Sequence, residues 1–600
     1  ITFDLGSQFA LIGQGIYNRM FFDRALYMSF LVYLHTLGGQ NYQQLMSIQA
    51  ALFAVFPALL YLLGRRLHSR TAGGVLAALI SMRGITSLPA SAWIDTATFK
   101  HMLTDFPTAI GIAVYLLLAT HWLESPRQRL NSLAWAAGVL GLTSLLRPHV
   151  LFILGGTLML ALWVYRDQRK FAAGAGALSL VAFLIAVLPW MTLGPSSGSL
   201  MKLYGQRVRD VIVQRYPAIL PAATAIPDGL QPLPAPIVPP ATTTAQPVPP
   251  VTAAPPADPG LPFVADHLLH NLITSALIFP NSPQLLTIKS VVKQGEQFWR
   301  PHWNGAMSPI SILMLLISLA LAAYGLGTAV QRDVTRGLLP LAALLFYLAA
   351  DSFARTSGGR YLVPVDWILI AYFSIALAEL TIAAGLFLRR EPVLAAGTTA
   401  LADKPSKRRK SVAGPQRPRL PGMQMWSVLA TLLVLGALVP LAGVLYPARY
   451  AASDPGALLA RLRGYVPELS AAGDAQTFLG QPDAALLQGR ILYPMHYRQG
   501  DGEPVRYAPY TARDYPRTAF MLIGPEGYVY VLLPGRRPAP LPNASDAIVL
   551  GCRSVEAGYN LVSAWAVALP EEGIGVIRTP AAPLQCPLPE PLCDDNGNCQ

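Results

Sequence analysis

The sequence predicts a polytopic α-helical membrane protein with a small extracytoplasmic C-terminal domain of α+β or β type. Hydrophobic residues make up 53% of the 600 residues, charged residues make up only 13%, and the mean hydropathy is +0.41. Several apolar runs reach the roughly 20 helical residues that cross about 30 Å of hydrocarbon. Basic residues cluster in particular loops, as they do in membrane proteins of fixed orientation. A soluble globular protein does not combine these features.

Ten apolar runs are predicted to be membrane spans. They are 43–63, 71–88, 104–122, 131–146, 149–165, 172–193, 307–329, 337–354, 362–388 and 424–446. Before the first span, residues 25–37 have the composition of a short interfacial helix. The chain begins at Ile1 rather than Met. We therefore expect a further segment, a signal or a first span, to precede it.

The lysine and arginine clusters fall in alternate loops between these spans. They lie at 65–70, 127–129, 166–170, 332–336 and 389–423. The positive-inside rule makes that side cytoplasmic, so the net charge of +13 is first a signal of topology. The run at 407–410 is interpreted as part of a solvated inner loop rather than a contact for RNA or anionic lipid. No nucleic-acid partner is predicted.

This orientation in the cytoplasmic (plasma) membrane defines seven predicted regions. They are a first outer loop at 1–42, a first part of the bundle at 43–193, an outer loop at 194–306, a second part at 307–388, a basic cytoplasmic loop at 389–423, a last helix at 424–446 and an extracytoplasmic domain at 447–600. Within the outer loop, 217–262 is dense in Pro, Ala and Thr. Such a segment cannot build a core and is predicted to be an extended or disordered tether.

The C-terminal region has the composition of a folded domain with β-strands. Short apolar runs at 520–523, 528–533 and 547–550 are bounded by Gly, Pro and Asn. All four cysteines of the chain lie here, at Cys552, Cys586, Cys593 and Cys599. An even number of clustered cysteines in an exported domain predicts two disulfides, with three pairings open. A metal site is the weaker interpretation, because no Cys-x-x-Cys spacing or nearby His supports it.

Ionisable residues are scarce in the apolar part of the chain, and many of them lie at the outer ends of spans. They are Asp95, Lys100, His101, Asp105, Arg147, His149, Asp351, Arg355, Arg360 and Asp366. A charged group within the bilayer is costly and usually faces a cavity or a partner. Snorkelling to the interface explains any one of these residues. It explains less well why so many gather on one side, so we predict a functional site there.

The chemistry of an outward-facing site is limited by its supply of substrates. The sequence contains no Walker loop, dinucleotide fingerprint, zinc helix or nucleophile elbow. Nucleotide-activated substrates are confined to the cytoplasm, so an activated group has to arrive on a lipid, for which a polyprenyl-phosphate sugar is the obvious candidate. Arginine binds phosphate oxygens bidentately, and a carboxylate can take the proton of an acceptor hydroxyl. The turn before the span at 362–388 supplies such an arginine, Arg360, beside Tyr361.

Four short stretches give the sequence a family resemblance. They are Ile1-Thr2-Phe3-Asp4 with Phe21-Phe22-Asp23, Leu103-Thr104-Asp105-Phe106-Pro107, Leu145-Leu146-Arg147-Pro148, and Gly359-Arg360-Tyr361-Leu362-Val363-Pro364. In order and sidedness they resemble motifs of the C-type (GT-C fold) membrane glycosyltransferases that use polyprenyl-phosphate sugars. Protein O-mannosyltransferases and aminoarabinose transferase belong to this group. The resemblance covers about residues 1–390 and implies one lost span before Ile1.

The resemblance implies roles for particular residues. Asp4 would be the catalytic carboxylate, Asp105 a second acidic residue of the site, and Arg360 a contact for the donor phosphate. Further substrate-binding candidates are Tyr361, Arg147, Asp95, Lys100, His101 and Asp23. The chain departs from the family pattern at 24–26, where Arg-Ala-Leu replaces His-Pro-Pro. No metal ligands are predicted, and a divalent cation as cofactor is left open.

The predicted function is transfer of a sugar from a polyprenyl-phosphate donor to an extracytoplasmic lipid, glycan or protein, with membrane lipids as surroundings. Two alternatives stay open at this point. A transporter or flippase would place polar residues at mid-span and would show two related halves. A non-catalytic membrane anchor would serve only to present the C-terminal domain. A shared cavity around Asp4, Asp105 and Arg360 favours the enzyme, and their dispersal over a lipid-facing surface favours the anchor.

Overall fold

The computed structural model describes most of the chain outside the long loops. The described residues are 2–16, 22–90, 101–193, 209, 261–279, 308–354, 356, 359–388, 421–450, 454–471, 475–502, 508–535, 541–556, 558–579, 581 and 584–594. They divide into two compact units. The first, helical unit contains 2–7, 16–209 and 261–442, and the second contains 8–15 and 443–594. The predicted tether at 217–262 falls almost entirely outside the described residues.

Helices make up the first unit. They are α1 Thr2–Leu11, α2 Ala25–Gly38, α3 Tyr42–Phe53, α4 Val55–Leu67, α5 Arg70–Ala90, α6 Asp105–Leu123, α7 Leu130–Ser144, α8 Leu151–Val164, α9 Arg169–Thr192, α10 Leu261–Ala276, α11 Pro309–Arg332, α12 Val334–Phe353, α13 Gly359–Leu362, α14 Trp367–Leu388 and α15 Pro421–Leu441. Short 3₁₀ helices lie at Phe22–Arg24, Pro148–Val150 and Arg166–Gln168.

Seven helical stretches within the described residues have the length and apolar composition of membrane spans. They are Tyr42–Leu67, Asp105–Leu123, Arg166–Thr192, Pro309–Arg332, Val334–Phe353, Trp367–Gly385 and Gln424–Leu441. These seven coincide with seven of the ten predicted spans. The remaining three predictions fall on α5, α7 and α8, which are helical, and their status as spans stays a prediction. A multi-pass helical membrane protein with a small C-terminal domain agrees with this architecture.

The ends of these helices follow local sequence signals. Ser308 caps α11 by accepting a hydrogen bond from the Ser311 amide at 3.2 Å, and Pro309 occupies the first turn. Asp333 begins α12 in the same way, accepting from the Arg336 amide at 2.9 Å. Burial opposes ionisation of Asp333, but that amide and the side chains of Thr335 and Arg336 together lower its pKa. A capping residue thus separates the two helices.

Two helices of the bundle approach each other closely at a glycine. A Cβ atom on Gly325 of α11 would lie 1.9 Å from the carbonyl oxygen of Tyr372 on α14. Small residues allow such backbone contact between membrane helices, where packing rather than the hydrophobic effect drives association. Gly327, two residues further along α11, meets nothing within 4 Å of its added Cβ.

This difference gives a matched pair of variants. We expect Gly325→Ala to destabilise the helical unit by about 1–3 kcal/mol, because the methyl group forces α11 and α14 apart. Gly327→Ala should be neutral or stabilising by up to about 1 kcal/mol, since alanine has the higher helix propensity. Thermal unfolding of both variants in lipid nanodiscs checks the prediction. Equal unfolding temperatures for the two variants would contradict the close contact.

The second unit contains three short helices and a six-stranded sheet. The helices are α16 Pro455–Tyr465, α17 Glu468–Ala471 and α18 Ala475–Leu479, and the strands are β1 Ala484–Tyr497, β2 Arg517–Gly524, β3 Gly527–Pro534, β4 Asp546–Glu556, β5 Tyr559–Leu569 and β6 Ile574–Ile577. The strand order is β3-β2-β1-β4-β5-β6. Parallel pairing of β3 with β5, such as Val531 opposite Val562, closes the first five strands into a barrel.

The barrel has a filled interior and one covered outer side. Its interior contains Phe520, Leu522, Val531, Leu533, Val549 and Val562. On the outer side of β4 and β5, Leu550 and Trp565 pack against Leu462 of α16 and Phe478 of α18. Alternate residues of a strand point to opposite faces, which explains how β4 and β5 serve both cores.

A disulfide joins Cys552 on β4 to Cys586 in the segment after β6, with a Cα–Cα distance of 5.6 Å. Cys593 is also disulfide-bonded, and the described residues contain no free cysteine. The disulfide of Cys552 closes a loop over a sequence separation of 34 residues and ties the C-terminal segment to the barrel.

Candidate active site

Four helix ends of the first unit bring charged and aromatic residues together. Asp105 is the first residue of α6, and Arg147 follows the end of α7. Asp351 lies in the last turn of α12, and Arg360 lies in α13. We call the group formed by Asp105, Arg147, His149, Tyr347, Asp351, Arg360 and Tyr361 the Asp105 cluster.

A buried ion pair forms the centre of the Asp105 cluster. Arg147 donates from Nη2 to Asp105 Oδ1, from Nη1 to the Tyr347 hydroxyl at 3.2 Å, and from Nε to Thr104 Oγ1 at 3.4 Å. The side chain of Arg147 is 3% exposed and that of Asp105 is 0% exposed. Each partner therefore compensates a charge that would otherwise be very costly to bury.

Arg360 lies beside this pair without completing its own hydrogen bonds. Its Nε is 3.5 Å from Asp105 Oδ2, and its side chain is 28% exposed. Neither of these two atoms has a hydrogen-bond partner among the described residues. The guanidinium groups of Arg147 and Arg360 each lie 5.4 Å from the centre of the Tyr361 ring. Arg147 and Arg360 thus share the carboxylate of Asp105, and Arg360 is the more exposed of the two arginines and the one that an anion can reach.

A second acidic residue lies at the edge of the cluster. His149 Nδ1 is 2.6 Å from Asp351 Oδ1, and the Asp351 side chain is completely buried. The Asp351 carbonyl holds the following loop by accepting from the amide and hydroxyl of Thr356, at 2.9 Å and 3.0 Å. Asp351 Oδ2 has no hydrogen-bond donor among the described residues. This corner of the site thus offers a partly exposed imidazole and a buried carboxylate.

Arg24, at the end of the 3₁₀ helix Phe22–Arg24, also reaches the Asp105 cluster. It donates to the carbonyl of Leu146 at 2.8 Å, next to Arg147, and its Nε is 3.5 Å from Asp23 Oδ2. With Arg24 and Asp23 included, the cluster contains three arginines, three aspartates and His149. Arg24 stands where the resembled family has His-Pro-Pro, and here that departure supplies a structural contact.

Asp4 lies in a separate buried network in α1. Its Oδ1 is 2.7 Å from His35 Nε2, and its Oδ2 accepts from the Tyr42 hydroxyl at 2.5 Å. Ser7 donates to the Asp4 carbonyl at 2.7 Å. Asp4 and His35 are buried, whereas Tyr42 is half-buried. Tyr42 is thus the part of this network that a substrate can approach.

The partners of His35 fix the protons of this network. Its Nδ1 is 3.0 Å from the carbonyl of Gly39, which can only accept, so Nδ1 carries a proton. One further proton then lies between Nε2 and the Asp4 carboxylate. The pair is either imidazolium with carboxylate or neutral imidazole with carboxylic acid, and its net charge is zero in both forms. A neutral pair tolerates this degree of burial, and a lone carboxylate would not.

Tyr27 of α2 connects the two groups of residues. Its ring packs on Phe3 at 5.6 Å, beside Asp4, and it lies in one apolar cluster with Leu146, beside Arg147. Its hydroxyl donates to Gln49 at 3.3 Å, and Gln49 donates to the carbonyl of His101 at 3.2 Å. The Asp4 network and the Asp105 cluster are therefore neighbours that share the α2–α3 segment.

The sequence-predicted site residues divide into three groups. Asp105, Arg147, Arg360 and Tyr361 come together in one cluster, with Asp23 at its edge through Arg24. Asp4 lies in the adjacent network, and His101 contributes its carbonyl. Asp95 and Lys100 lie outside the described residues, as does Arg355 from the wider set at the span ends. Among the described residues, no three His, Cys, Asp or Glu side chains are grouped to hold a metal ion.

Sequence reasoning missed three contributors, Tyr347, His35 and Tyr42. Tyr347 precedes Asp351 by four residues on α12, a spacing that places both on one helix face, so this signal was present in the sequence. His35 is a polar residue within a short apolar helix, which was a weaker signal.

Asp366, from the wider set at the span ends, lies outside the Asp105 cluster. It forms two hydrogen bonds with Arg83 of α5, at 2.9 Å and 2.5 Å, and so belongs to a separate ion pair.

Comparison with known proteins finds similarity to solved structures only. No family model and no curated protein matches the chain. The solved structures that match include the oligosaccharyltransferase of Archaeoglobus fulgidus in its apo form, at 14% identity and a TM-score of 0.31, covering 76% of this chain and 50% of that chain. The same enzyme tethered to an acceptor peptide containing the NVT sequon matches at 14% identity and a TM-score of 0.32, covering 74% and 50%. Its complex with an inhibitory peptide and a dolichol-phosphate matches at 14% and 0.30, covering 76% and 50%. The chain thus spans about half the length of these matches.

Proposed function

We propose that this protein is a membrane glycosyltransferase that moves a sugar from a polyprenyl-phosphate donor to an acceptor on the outer side of the cytoplasmic membrane. One observation carries the proposal. Arg360 lies against the buried Asp105–Arg147 pair, with its Nε 3.5 Å from Asp105 Oδ2 and its side chain 28% exposed. A cation in that position, where α13 leads into α14, suits a phosphate on a membrane lipid.

The transfer step gives each group a chemical task. The bond between the sugar carbon and the phosphate oxygen breaks, and a bond from the acceptor oxygen to that carbon forms. The leaving polyprenyl phosphate gains negative charge, which Arg360 stabilises through charge-assisted hydrogen bonds. Asp105 and Arg147 hold Arg360 and Tyr361 in place, and Tyr361 lies where it can support the phosphate or the sugar.

The acceptor proton has a defined destination in this scheme. Asp4 is the general base, and the half-buried Tyr42 hydroxyl lies between Asp4 and the approaching acceptor. The base acts from its carboxylate form, in which His35 carries both of its ring protons and balances the charge. Proton transfer to a positioned carboxylate of this kind contributes about 10²–10⁴-fold to a rate. A divalent cation is not needed for these roles.

The burial of the polar groups favours the enzyme over the alternatives. Asp4 and Asp105 are buried and Arg360 lies against Asp105, whereas an anchor predicts dispersal of these three residues over a lipid-facing surface. Asp4 lies in a separate network, so the grouping holds for Asp105 and Arg360. They also lie at helix ends rather than at the middle of interrupted helices, where a transporter would place its site. The sugar and the acceptor are outside what this geometry specifies.

Replacement of Arg360 by methionine tests the role of the guanidinium. We expect kcat/KM for the lipid donor to fall about 10–100-fold, because a hydrogen bond to a charged group contributes roughly 1.5–3 kcal/mol. The measurement is transfer of label from a panel of polyprenyl-phosphate hexoses and pentoses by the full chain in nanodiscs.

Arg336→Met is a matched control for this variant. Arg336 lies in the first turn of α12, at the end of that helix away from Asp351. Its side chain is 28% exposed, as that of Arg360 is, and it pairs with Asp333. Its replacement should leave kcat/KM for the lipid donor within about twofold of wild type. Transfer that is unaffected in Arg360→Met, or wild-type protein that transfers no sugar of the panel, would remove the basis of the proposal.

A further inference from the structure

Five tyrosines form a connected aromatic surface on the barrel of the second unit. Tyr530 is at its centre, with ring centroids 5.8 Å from Tyr510, 5.9 Å from Tyr528 and 5.9 Å from Tyr559. Tyr497 continues the set at 6.4 Å from Tyr510. We call these five residues the tyrosine face. Four of them are half-buried, and only Tyr497 is fully buried.

The strand alternation shows that the tyrosine face is outside the barrel. On β3, Val529, Val531 and Leu533 point to the interior, so Tyr528 and Tyr530 point outward. Tyr530 lies opposite Met521 of β2 and beside Leu561 of β5, both on the same outer side. The barrel interior is filled by aliphatic residues and Phe520 alone. The tyrosines are therefore not part of the barrel interior. On the outer side, Tyr497 forms a small apolar cluster with Leu532 and Leu561, against which Tyr510 and Tyr530 pack.

The position of the tyrosine face within the barrel is informative. It covers β3 and the neighbouring edges of β2 and β5, and two loops bound it. The connection from β1 to β2 supplies Tyr510, and Tyr559 is the first residue of β5, next to the turn from β4. Five-stranded barrels of the OB type bind oligosaccharides and oligonucleotides on the face of strands 2 and 3, between the corresponding two loops.

The chemistry of the tyrosine face suits a sugar. Burial, with a smaller contribution from the neighbouring Tyr497, raises the pKa of Tyr510 to about 12. Burial likewise raises the pKa of Tyr528. Both phenols therefore stay neutral and can donate hydrogen bonds at physiological pH. Aromatic rings with polar tips present an apolar surface and a hydrogen-bonding group together, which matches the two kinds of surface on a pyranose ring.

The charges around the tyrosine face argue against a nucleic acid. In the connection that bounds the face, Arg513 pairs with both Glu556 and Glu590. Arg517 is fully buried, donates to the carbonyls of Asp501 and Thr511, and lies 4.8 Å from the Tyr497 ring. Nucleic-acid binding depends on cations that neutralise phosphates. Arg513 and Arg517 are engaged with acidic groups or carbonyls, and Arg498 is the exposed arginine of the described part of this connection. One exposed arginine favours a neutral ligand over a chain of phosphates.

We propose that the tyrosine face of the second unit is a binding site for a neutral glycan chain, with Tyr510, Tyr528, Tyr530 and Tyr559 as contacts and Tyr497 as support. Neighbouring rings of the face are about 6 Å apart, so a ligand that contacts several of them would be a chain of sugars rather than a monosaccharide. This site is distinct from the Asp105 cluster, and its binding does not depend on transfer activity. It can therefore be tested whether or not the proposed function is correct.

Binding of defined glycans to the full chain in nanodiscs is the test. The probes are maltohexaose, cellohexaose and mannohexaose, with oligothymidylate as the nucleic-acid probe, and calorimetry or ligand-observed NMR gives Kd. We expect at least one hexasaccharide to bind and oligothymidylate not to bind. Tyr559→Ala and Tyr530→Leu should each raise Kd by about tenfold, the loss expected for one aromatic contact.

Tyr465→Phe is the control, because Tyr465 of α16 donates to the carbonyl of Pro570 and lies outside the tyrosine face. It should bind as wild type does. Tyr559 is the first residue of β5 and is half-buried, so its variant keeps the test valid if Tyr530→Leu fails to fold, as shown by loss of its thermal unfolding transition. The proposal is overturned if no hexasaccharide binds, if both variants bind as tightly as wild type, or if oligothymidylate binds in competition with the glycan.

Discussion

Replacement of Asp4 by asparagine is expected to lower the rate of sugar transfer by about 10²–10⁴-fold while leaving the protein folded. Asparagine has the same shape as aspartate. Its amide nitrogen can donate to Nε2 of a neutral His35, and its oxygen can accept from Tyr42, so the contacts with His35 and Tyr42 survive. Only the capacity to take a proton is lost. The measurement is single-turnover transfer from the lipid donor, compared with the thermal unfolding temperature of the same sample.

Two companion variants sharpen this test. Tyr42→Phe removes the hydroxyl that lies on the approach to Asp4 and should lower the rate by less than Asp4→Asn does. Asp167→Asn, an exposed residue in the 3₁₀ helix Arg166–Gln168, should leave the rate unchanged. Full activity in Asp4→Asn would exclude Asp4 as the base. A large loss of unfolding temperature in Asp4→Asn would instead show that the buried pair is structural.

Replacement of Arg147 by methionine is expected to destabilise the helical unit by about 3–5 kcal/mol. The variant removes the partner of a fully buried carboxylate, because Asp105 would retain only Arg360, whose Nε lies 3.5 Å from Oδ2. It also removes the hydrogen bond to Tyr347. Methionine keeps most of the volume, so the loss reports charge rather than a cavity. Denaturant or thermal unfolding in nanodiscs measures it.

A double variant separates charge compensation from packing. Arg147→Met combined with Asp105→Leu removes both charges, and replacement of a buried pair by apolar residues is often neutral. The double variant should therefore recover most of the stability that Arg147→Met loses, which gives a large coupling energy in the double-mutant cycle. It should remain inactive, because Arg360 loses its neighbour. A single variant as stable as wild type, or a double variant no better than the single, would contradict the pairing.

The site was partly accessible to sequence reasoning. Asp105, Arg147 and Arg360 come from segments far apart in the chain, and they could be grouped because alternating basic loops place their helix ends on one side of a membrane. Sidedness does not give distance, however. It could not show that Arg147 neutralises Asp105, that Asp366 pairs with Arg83, or that Asp4 shares a proton with His35. These pairings depend on the lateral order of helices in the bundle, which hydropathy does not encode.

The sequence by itself determined the class of protein. Membrane helices must satisfy their backbone hydrogen bonds internally, so they are recognisable in the sequence as long apolar runs. It also located strands such as 528–533 in the C-terminal region through their composition. Only the tertiary structure decided that β3 pairs with β5 to close a barrel, that Tyr510 and Tyr559 both contact Tyr530, and that Arg147 and Arg360 share Asp105. Long-range packing makes those choices, since a charge or a ring acquires its role from neighbours that are distant in the chain.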